Sequence, residues 1–492
     1  MPDDKAGPLA SLQQEVVALR AEVAAGGASL YRTWRERIDR PAFTSSALNF
    51  ANYLVLRRFD LRGLQRRLMA VGLSSLGRSE GRVMASLDAI SWALGRLAGL
   101  DVHRPPSENR FFRGERKLRA NTAEFFGPQH GGRTGRIMVT LGTEAADDPE
   151  FIADLARQGA DVLRVNCGHD DETIWARMIE NARAAAFIRP LRVLMEIAGP
   201  KVRMKDVHGP AGAQRLKIGD NLLLCRELNA TLEDFPFQCT MTPPRVLDRL
   251  KVGDIVSIDD GKLRGSILAQ TEHGFAVNLT EGRSKGVKIR SGRGLNFPAV
   301  DLNLDPLTDK DRSDLRFAIR NADLVGFSFV QNGAQVVELQ KELSALRDDW
   351  QSLGMMIKIE TPAAVSNLPE IIVQAAGRQP LAIMIARGDL AVEIGFERVA
   401  EMQEEILWLC EAAQVPAIWA TQVLDGLIHE GLPSRSEMTD AAMAVQAECV
   451  MLNRGPHVKA GLAALDRVLR RMAENRVKKT PTLRALRSWP MR

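Results

Sequence analysis

Two hydrophobic rhythms run along this chain, one near the amino terminus and another after residue 135. From Leu9 to about Ile38, apolar positions return every three or four residues with charges between them, as in LQQEVVALRAEV and LYRTWRERI. That spacing places one apolar stripe on a helix and predicts an amphipathic helix interrupted at Gly26-Gly27. Ser45 or Ser46 is placed to cap a second helix through ALNFANYLVLRR, and DLRGLQRRLMAVG and EGRVMASLDAISWALGRLAG continue the helical period. The stretch HRPPSENRFFRGERKLRANTAEFFGPQHGGRTG, from His103, reads as an irregular connector. Residues 1–130 are therefore expected to form an all-helical module. SSLGRSEGR, Ser74 to Arg82, contains glycines, but no strand leads into it, so it is not read as a phosphate loop.

After residue 135 the pattern becomes short apolar runs, each followed by an amphipathic stretch. The runs are RIMVTLG, DVLRVNC, LRVLMEI, LVGFSFV, MMIKIE, LAIMIAR, PAIWAT and CVMLNR; helical stretches such as ETIWARMIENARAAAF and ERVAEMQEEILWLCEAA separate them. Strand–helix alternation implies parallel strands covered by helices. Eight repeats predict an α/β fold, a TIM (β/α)8 barrel over residues 135–203 and 296–475. Between Arg203 and Arg293 the runs shorten and turn signals crowd in, as in RLKIGDNLLLC and GFAVNLTEG. That reads as a separate, mainly β domain over residues 204–295, inserted in a loop at the barrel face where chemistry resides. Residues 476–492 read as a tail.

Composition narrows the function classes. A chain of 492 residues with 45% hydrophobic and 26% charged residues suits two to four globular domains. No apolar run reaches membrane-spanning length, and MPDDKAGPLA lacks the basic and apolar regions of a signal peptide. The five cysteines are scattered, without CxxC spacing, so neither a disulfide framework nor a zinc site is expected and a cytoplasmic location is. The net charge of +5 is uneven: residues 1–130 hold 20 Lys and Arg against 13 Asp and Glu, a surplus of +7. Those arginines alternate with leucines at helical spacing, which fits a solvated face. Few aromatics and no recognised module argue against nucleic acid as a partner.

Candidate chemistry sits where the apolar runs end: Arg164, Asn166, Glu196, Ser328, Lys358, Glu360, Asp389 and Thr421. Lys358 and Glu360 are two apart in a strand and share a face. An ion pair would explain one such strand; two neighbouring strands both ending in charge point to a site. Glu360 and Asp389 suit a hard divalent cation completed by substrate oxygens. Lys358 can set an ammonium beside an anionic group that gains charge during a reaction. Arg387-Gly388-Asp389 turns into a short helix whose amides could hold a carboxylate, and Thr421 could bind that group and relay a proton. Arg164 and Arg203 suit bidentate phosphate contact.

IKIET, IMIARGDLAVEIG, WATQVLDGLIHEGLPSRSEMTDAAMAV, RVNCGHDD at Arg164 and GPKVR at Gly199 resemble, in order, the motifs of the pyruvate kinase family, over roughly residues 136–474. The resemblance implies that the insert is a small β-barrel lid closing over a nucleotide, and that the reaction moves a phosphoryl group from phosphoenolpyruvate to ADP. It implies Mg2+ or Mn2+ on Glu360 and Asp389, catalysis by Lys358, Thr421 and Arg164, and substrate binding by these with Gly388. Asn166, His169, Arg203 and Arg293 would face the nucleotide, Arg293 standing where the family has a lysine. Asp259-Asp260-Gly261 reads as a hairpin turn, with Asp260 placed to touch the nucleotide from the lid. A homo-oligomer is expected. Potassium-dependent members read NFSH and DTKGPEIR where this chain has NCGH and EIAGPKVR, so Gly168 and Ile197 remove oxygen ligands and Lys201 adds an ammonium. Lys201 is therefore expected to stand in for the monovalent cation, with no potassium requirement; a simple ion pair with Glu196 is the plainer reading and is compatible with that role. The family's LSGETA is LNRGPH here, and its effector domain is not seen after the last barrel helix, so no activation by a sugar phosphate there is expected. Two rival readings remain: a lyase handling phosphoenolpyruvate or pyruvate on the same barrel, and a scaffold protein that has lost catalysis.

Overall fold

The eight apolar runs close into a parallel barrel in the computed structural model, which describes residues 6–129, 131–210, 215–229, 232–298, 300–474, 476–478 and 480–481. The barrel strands, numbered among themselves, are β1 (Arg136–Thr140), β2 (Val162–Asn166), β3 (Arg192–Ile197), β4 (Leu324–Phe327), β5 (Gly354–Ile359), β6 (Leu381–Ala386), β7 (Ala417–Ala420) and β8 (Cys449–Leu452). Each pairs with its sequence neighbours, and β1 closes against β8 with Arg136 opposite Cys449. The runs are continuously apolar because both faces are covered: every residue of β1, β4, β6, β7 and β8 is buried. Covering helices begin where the sequence supplies caps, as at Asp171, which accepts from the amides of Thr173 and Ile174, and at Thr308, which forms a capping box with Asp311.

Between β3 and β4 the chain builds a seven-stranded sheet, from Arg203–His208 at one edge to Leu295–Asn296 at the other, around its own core with Leu222, Met241, Val256 and Val277. The two edges meet at an antiparallel bridge between Arg203 and Gly294, which rolls the sheet towards closure. Of the tail read over residues 476–492, residues 482–492 lie outside the described part.

Three local expectations in the amino-terminal third are corrected. The first helix, Ala6–Trp34, passes through Gly26-Gly27 without a break. Those glycines admit a neighbour: a Cβ on Gly27 would lie 1.9 Å from Asn52 Oδ1, and one on Gly26 would lie 3.0 Å from Val55 Cγ1. The second helix, Pro41–Leu56, starts at its proline, whose fixed φ suits a first helical position, and Ser46 is buried inside it. The presumed connector contains two helices, Glu108–Phe111 and Arg113–Phe126. Leu118, Thr122, Phe125 and Phe126 form a buried stripe along the longer one, hidden in the sequence by the charges around it. Phe125 and Phe126 pack with side chains from all eight strands, among them Met138, Met356, Met384 and Met451, and so plug the barrel. The plug enters at the amino ends of the strands, since the ring of Phe125 lies 3.0 Å from a Cβ built on Gly354, the first residue of β5.

Candidate active site

Strand periodicity raises the charged residues into the barrel mouth. Val162, Leu194 and Met356 belong to the barrel interior, so two residues on, Arg164, Glu196 and Lys358 share that inward face. There they converge. Arg164 donates to Glu196 through Nε at 2.6 Å and Nη2 at 2.7 Å, and through Nη1 to Thr140 Oγ1 at 2.9 Å. The Lys358 ammonium lies 2.7 Å from Glu360 and 3.2 Å from Glu196, and donates to Ser328 Oγ at 3.3 Å. Glu196, one polar strand end among several in the sequence, is the hub that ties both cations together.

Electrostatics separates the three carboxylates. Burial opposes ionisation of Glu196, yet Arg164 and Lys358 hold its carboxyl down at about 2. Burial raises Glu360, with the nearby Asp389 charge adding to it against Lys358. Asp389 is lowered despite burial, because Lys201 and Lys358 both stabilise its anion. Lys358 is raised: burial disfavours its charge, and the attraction of Glu196, Glu360 and Asp389 outweighs it. Glu360 Oε2 accepts from the Phe329 amide at 2.6 Å, while its buried Oε1 is held 2.7 Å from the Lys358 ammonium. Among the described residues no three His, Cys, Asp or Glu side chains group to enclose a metal. The buried Glu360 and the partly exposed Asp389 repel one another, and a divalent cation that takes its other ligands from substrate and water fits this pair.

Asp389 lies in the first turn of the helix Arg387–Ile394, directly after β6. Arg387 anchors that turn through its ion pair with Asp440 and its donation to the Thr421 carbonyl at 2.8 Å, a partnership with no signal in the sequence. The Gly388 amide donates to Thr421 Oγ1 at 2.7 Å, and Thr421 holds a left-handed φ of 64°. Lys201 does not reach Glu196. Its ammonium sits 2.9 Å from Asp389 and 3.1 Å from Asp260 of the inserted sheet, pinning the insert to the barrel mouth.

The remaining candidates gather beside this centre. Arg164, Asn166 and His169 line a cavity of about 240 Å³ with His429, Asn453 and Arg454. Burial lowers His169, and the charges of Arg454 and Arg203 push the same way. Arg454, from the LNRGPH stretch, was not singled out by the sequence reading. Arg203 and Arg293 are occupied within the insert: Arg203 Nη1 donates to the Gly292 carbonyl at 3.1 Å, and Arg293 pairs with Asp259 at 2.5 Å. Asp259 and Asp260 both adopt left-handed φ of 55°, as the turn requires. A larger cavity of about 430 Å³ opens between insert and barrel, lined by Lys201, Asn296, Phe329, Asn332, Thr361 and Glu393.

The family model for the pyruvate kinase barrel domain matches residues 132–457. The chain is 32% identical over 327 residues to a pyruvate kinase of Geobacillus stearothermophilus, covering 65% of this chain and 53% of that protein. It is 34% identical over 326 residues to a pyruvate kinase of Methylorubrum extorquens, covering 65% and 64%. Among solved structures, a pyruvate kinase from Cryptosporidium parvum aligns with a TM-score of 0.60 at 26% identity, over 73% of this chain and 71% of that one. The chain thus spans from about half to just under two thirds of the length of these two curated relatives.

Proposed function

This chain belongs to the pyruvate kinase family, and from that premise we propose that it transfers the phosphoryl group of phosphoenolpyruvate to ADP, giving pyruvate and ATP. The observation that carries the reading is the convergence of Lys358, Glu360, Glu196 and Arg164 on one inward strand face, with Asp389 beside them. Arg164 and Lys358 present fixed donors to the phosphoryl oxygens, which suits a transfer in which positioning and charge stabilisation supply most of the catalysis. As the bond from phosphorus to the enol oxygen breaks and a bond to the ADP oxygen forms, Lys358 stabilises the enolate left behind. Glu360 and Asp389 would hold Mg2+ or Mn2+, which supplies charge neutralisation for the phosphate oxygens. Thr421 relays a proton to the terminal carbon of the enolate, giving the ketone. The turn at Gly388 orients Thr421 and the substrate carboxylate. Asn166, His169, Arg203 and Arg293 take the nucleotide, the last two after exchanging their contacts within the insert for phosphate when the lid closes.

Lys201 takes the part of the monovalent cation. Its ammonium already supplies one fixed positive charge beside Asp389, so the reaction proceeds without potassium. Among the described residues no helix is long and apolar enough to cross a membrane, and the reading places the enzyme in the cytoplasm. The test is a coupled pyruvate assay of the full chain with Mg2+ in potassium-free buffer. Pyruvate formation that requires ADP supports the proposal. Formation without ADP favours a lyase, and none at all favours a silent homologue.

A further inference from the structure

A second cavity lies at the opposite end of the barrel. The amino-terminal helices and the barrel floor enclose about 250 Å³ there. One water needs roughly 10–15 Å³ on this scale, so the space admits a small organic molecule. Arg136, the first residue of β1, and Glu448, just before β8, place it at the amino ends of the strands, away from Lys358. SSLGRSEGR, the motif left without a role above, contributes Arg78, Gly81 and Arg82. It is seated by close backbone approach: a Cβ on Gly114 would lie 1.9 Å from the Gly81 carbonyl oxygen.

The lining carries five basic side chains against three acidic ones. Two of the basic groups are matched, Lys478 by Glu448 and Arg119 by Glu115. Arg136 is not. It is 4% exposed, and its Nη1 and Nη2 donate only to the neutral carbonyls of Thr134 and Gly127, at 2.8 and 3.0 Å. Its Nε is buried without a partner, and among the described residues no carboxylate comes within ion-pair distance of it: Asp161 and Glu448 act on it from farther off and are paired with Arg133 and Lys478. A buried guanidinium with no carboxylate in contact is costly unless something supplies an anion there. Nearer solvent, Arg82 lies over the rings of Phe111 and Phe112 at 4.7 and 5.1 Å, with Glu115 no closer than 4.0 Å, and Arg78 is exposed. Leu118, Ala123, Val445 and Ala447 supply apolar wall.

We propose that this cavity binds a small organic anion, an apolar body ending in a carboxylate or phosphate, with the charged end on Arg136 and with Arg82 and Arg78 at the entrance. The proposal does not depend on the reaction assigned to the opposite face.

Isothermal titration of the full chain with phenylacetate and with phenyl phosphate tests it, and whichever binds identifies the charged end. The expected result is one site with a Kd below about 1 mM for at least one probe, weakened about tenfold or more by Arg136→Gln, equivalent to about 1.4 kcal/mol. Arg82→Gln, at a partly exposed position, weakens it severalfold and decides the matter if Arg136→Gln melts too early to titrate. Lys358→Met leaves this binding unchanged. No binding of either probe below about 1 mM, binding unaffected by the decisive cavity variant, or binding abolished by Lys358→Met would each overturn the site.

Discussion

Glu196→Gln removes one charge from the barrel mouth while keeping the side chain's shape. The parent carboxylate is 2% exposed, is held by Arg164 through two bonds of 2.6 and 2.7 Å, and faces Lys358 at 3.2 Å. Its carboxyl is depressed from an ordinary 4.5 to about 2, which corresponds to about 3 kcal/mol of stability at neutral pH. Removing one partner from a buried pair costs about 3–5 kcal/mol, an independent route to the same size. Because the folded value is the lower one, the contribution is complete above the unfolded value of 4.5 and disappears as the pH falls through about 2. Near about pH 3, less than half of it is left. Urea unfolding of parent and variant, followed by tryptophan fluorescence at pH 7 and at several points down to about pH 3, measures the gap. The gap should be about 3 kcal/mol at neutral pH and shrink steadily with acid. A difference below about 0.5 kcal/mol at pH 7, the size of an ordinary surface substitution, or one that ignores pH, refutes the electrostatic role given to Glu196.

Other substitutions probe separate parts. Lys201→Met strips the ammonium from Asp389 and Asp260; kcat/KM in potassium-free buffer should drop by about 10- to 100-fold, roughly 1.4–2.7 kcal/mol, and added potassium should recover part of it. Unchanged activity, or a loss that potassium does not touch, contradicts the cation role. Thr421→Val deletes the hydroxyl that accepts from the Gly388 amide; kcat should fall by about 10²-fold or more, and Thr421→Ser should restore most of it, whereas an inactive serine variant would count against the relay. Gly114→Ala drives a Cβ to 1.9 Å from the Gly81 carbonyl oxygen and should destabilise the chain by about 1–3 kcal/mol, read by thermal melting. An unchanged melting temperature would mean that this contact yields freely.

All eight barrel strands and the lysine and glutamate on their shared face were legible from the chain, because burial on both faces demands uninterrupted apolar runs and strand periodicity is a local property. The family was legible for a related reason: its motifs are contiguous stretches around residues such as Lys358 and Asp389. Partner choice was not. Lys201 meets Asp389 across 188 positions of sequence and leaves Glu196 to Arg164 and Lys358, a division that the competition among neighbouring charges decides only after folding. The same holds for Phe125 and Phe126, which look like the end of a charged connector until eight strands surround them. Gly26 and Gly27 look like a helix break until Asn52 and Val55 are packed against them. Periodicity along the chain fixed which faces would be buried; contacts between distant segments decided what each face is buried against, and therefore which charges are matched and which remain open to a ligand.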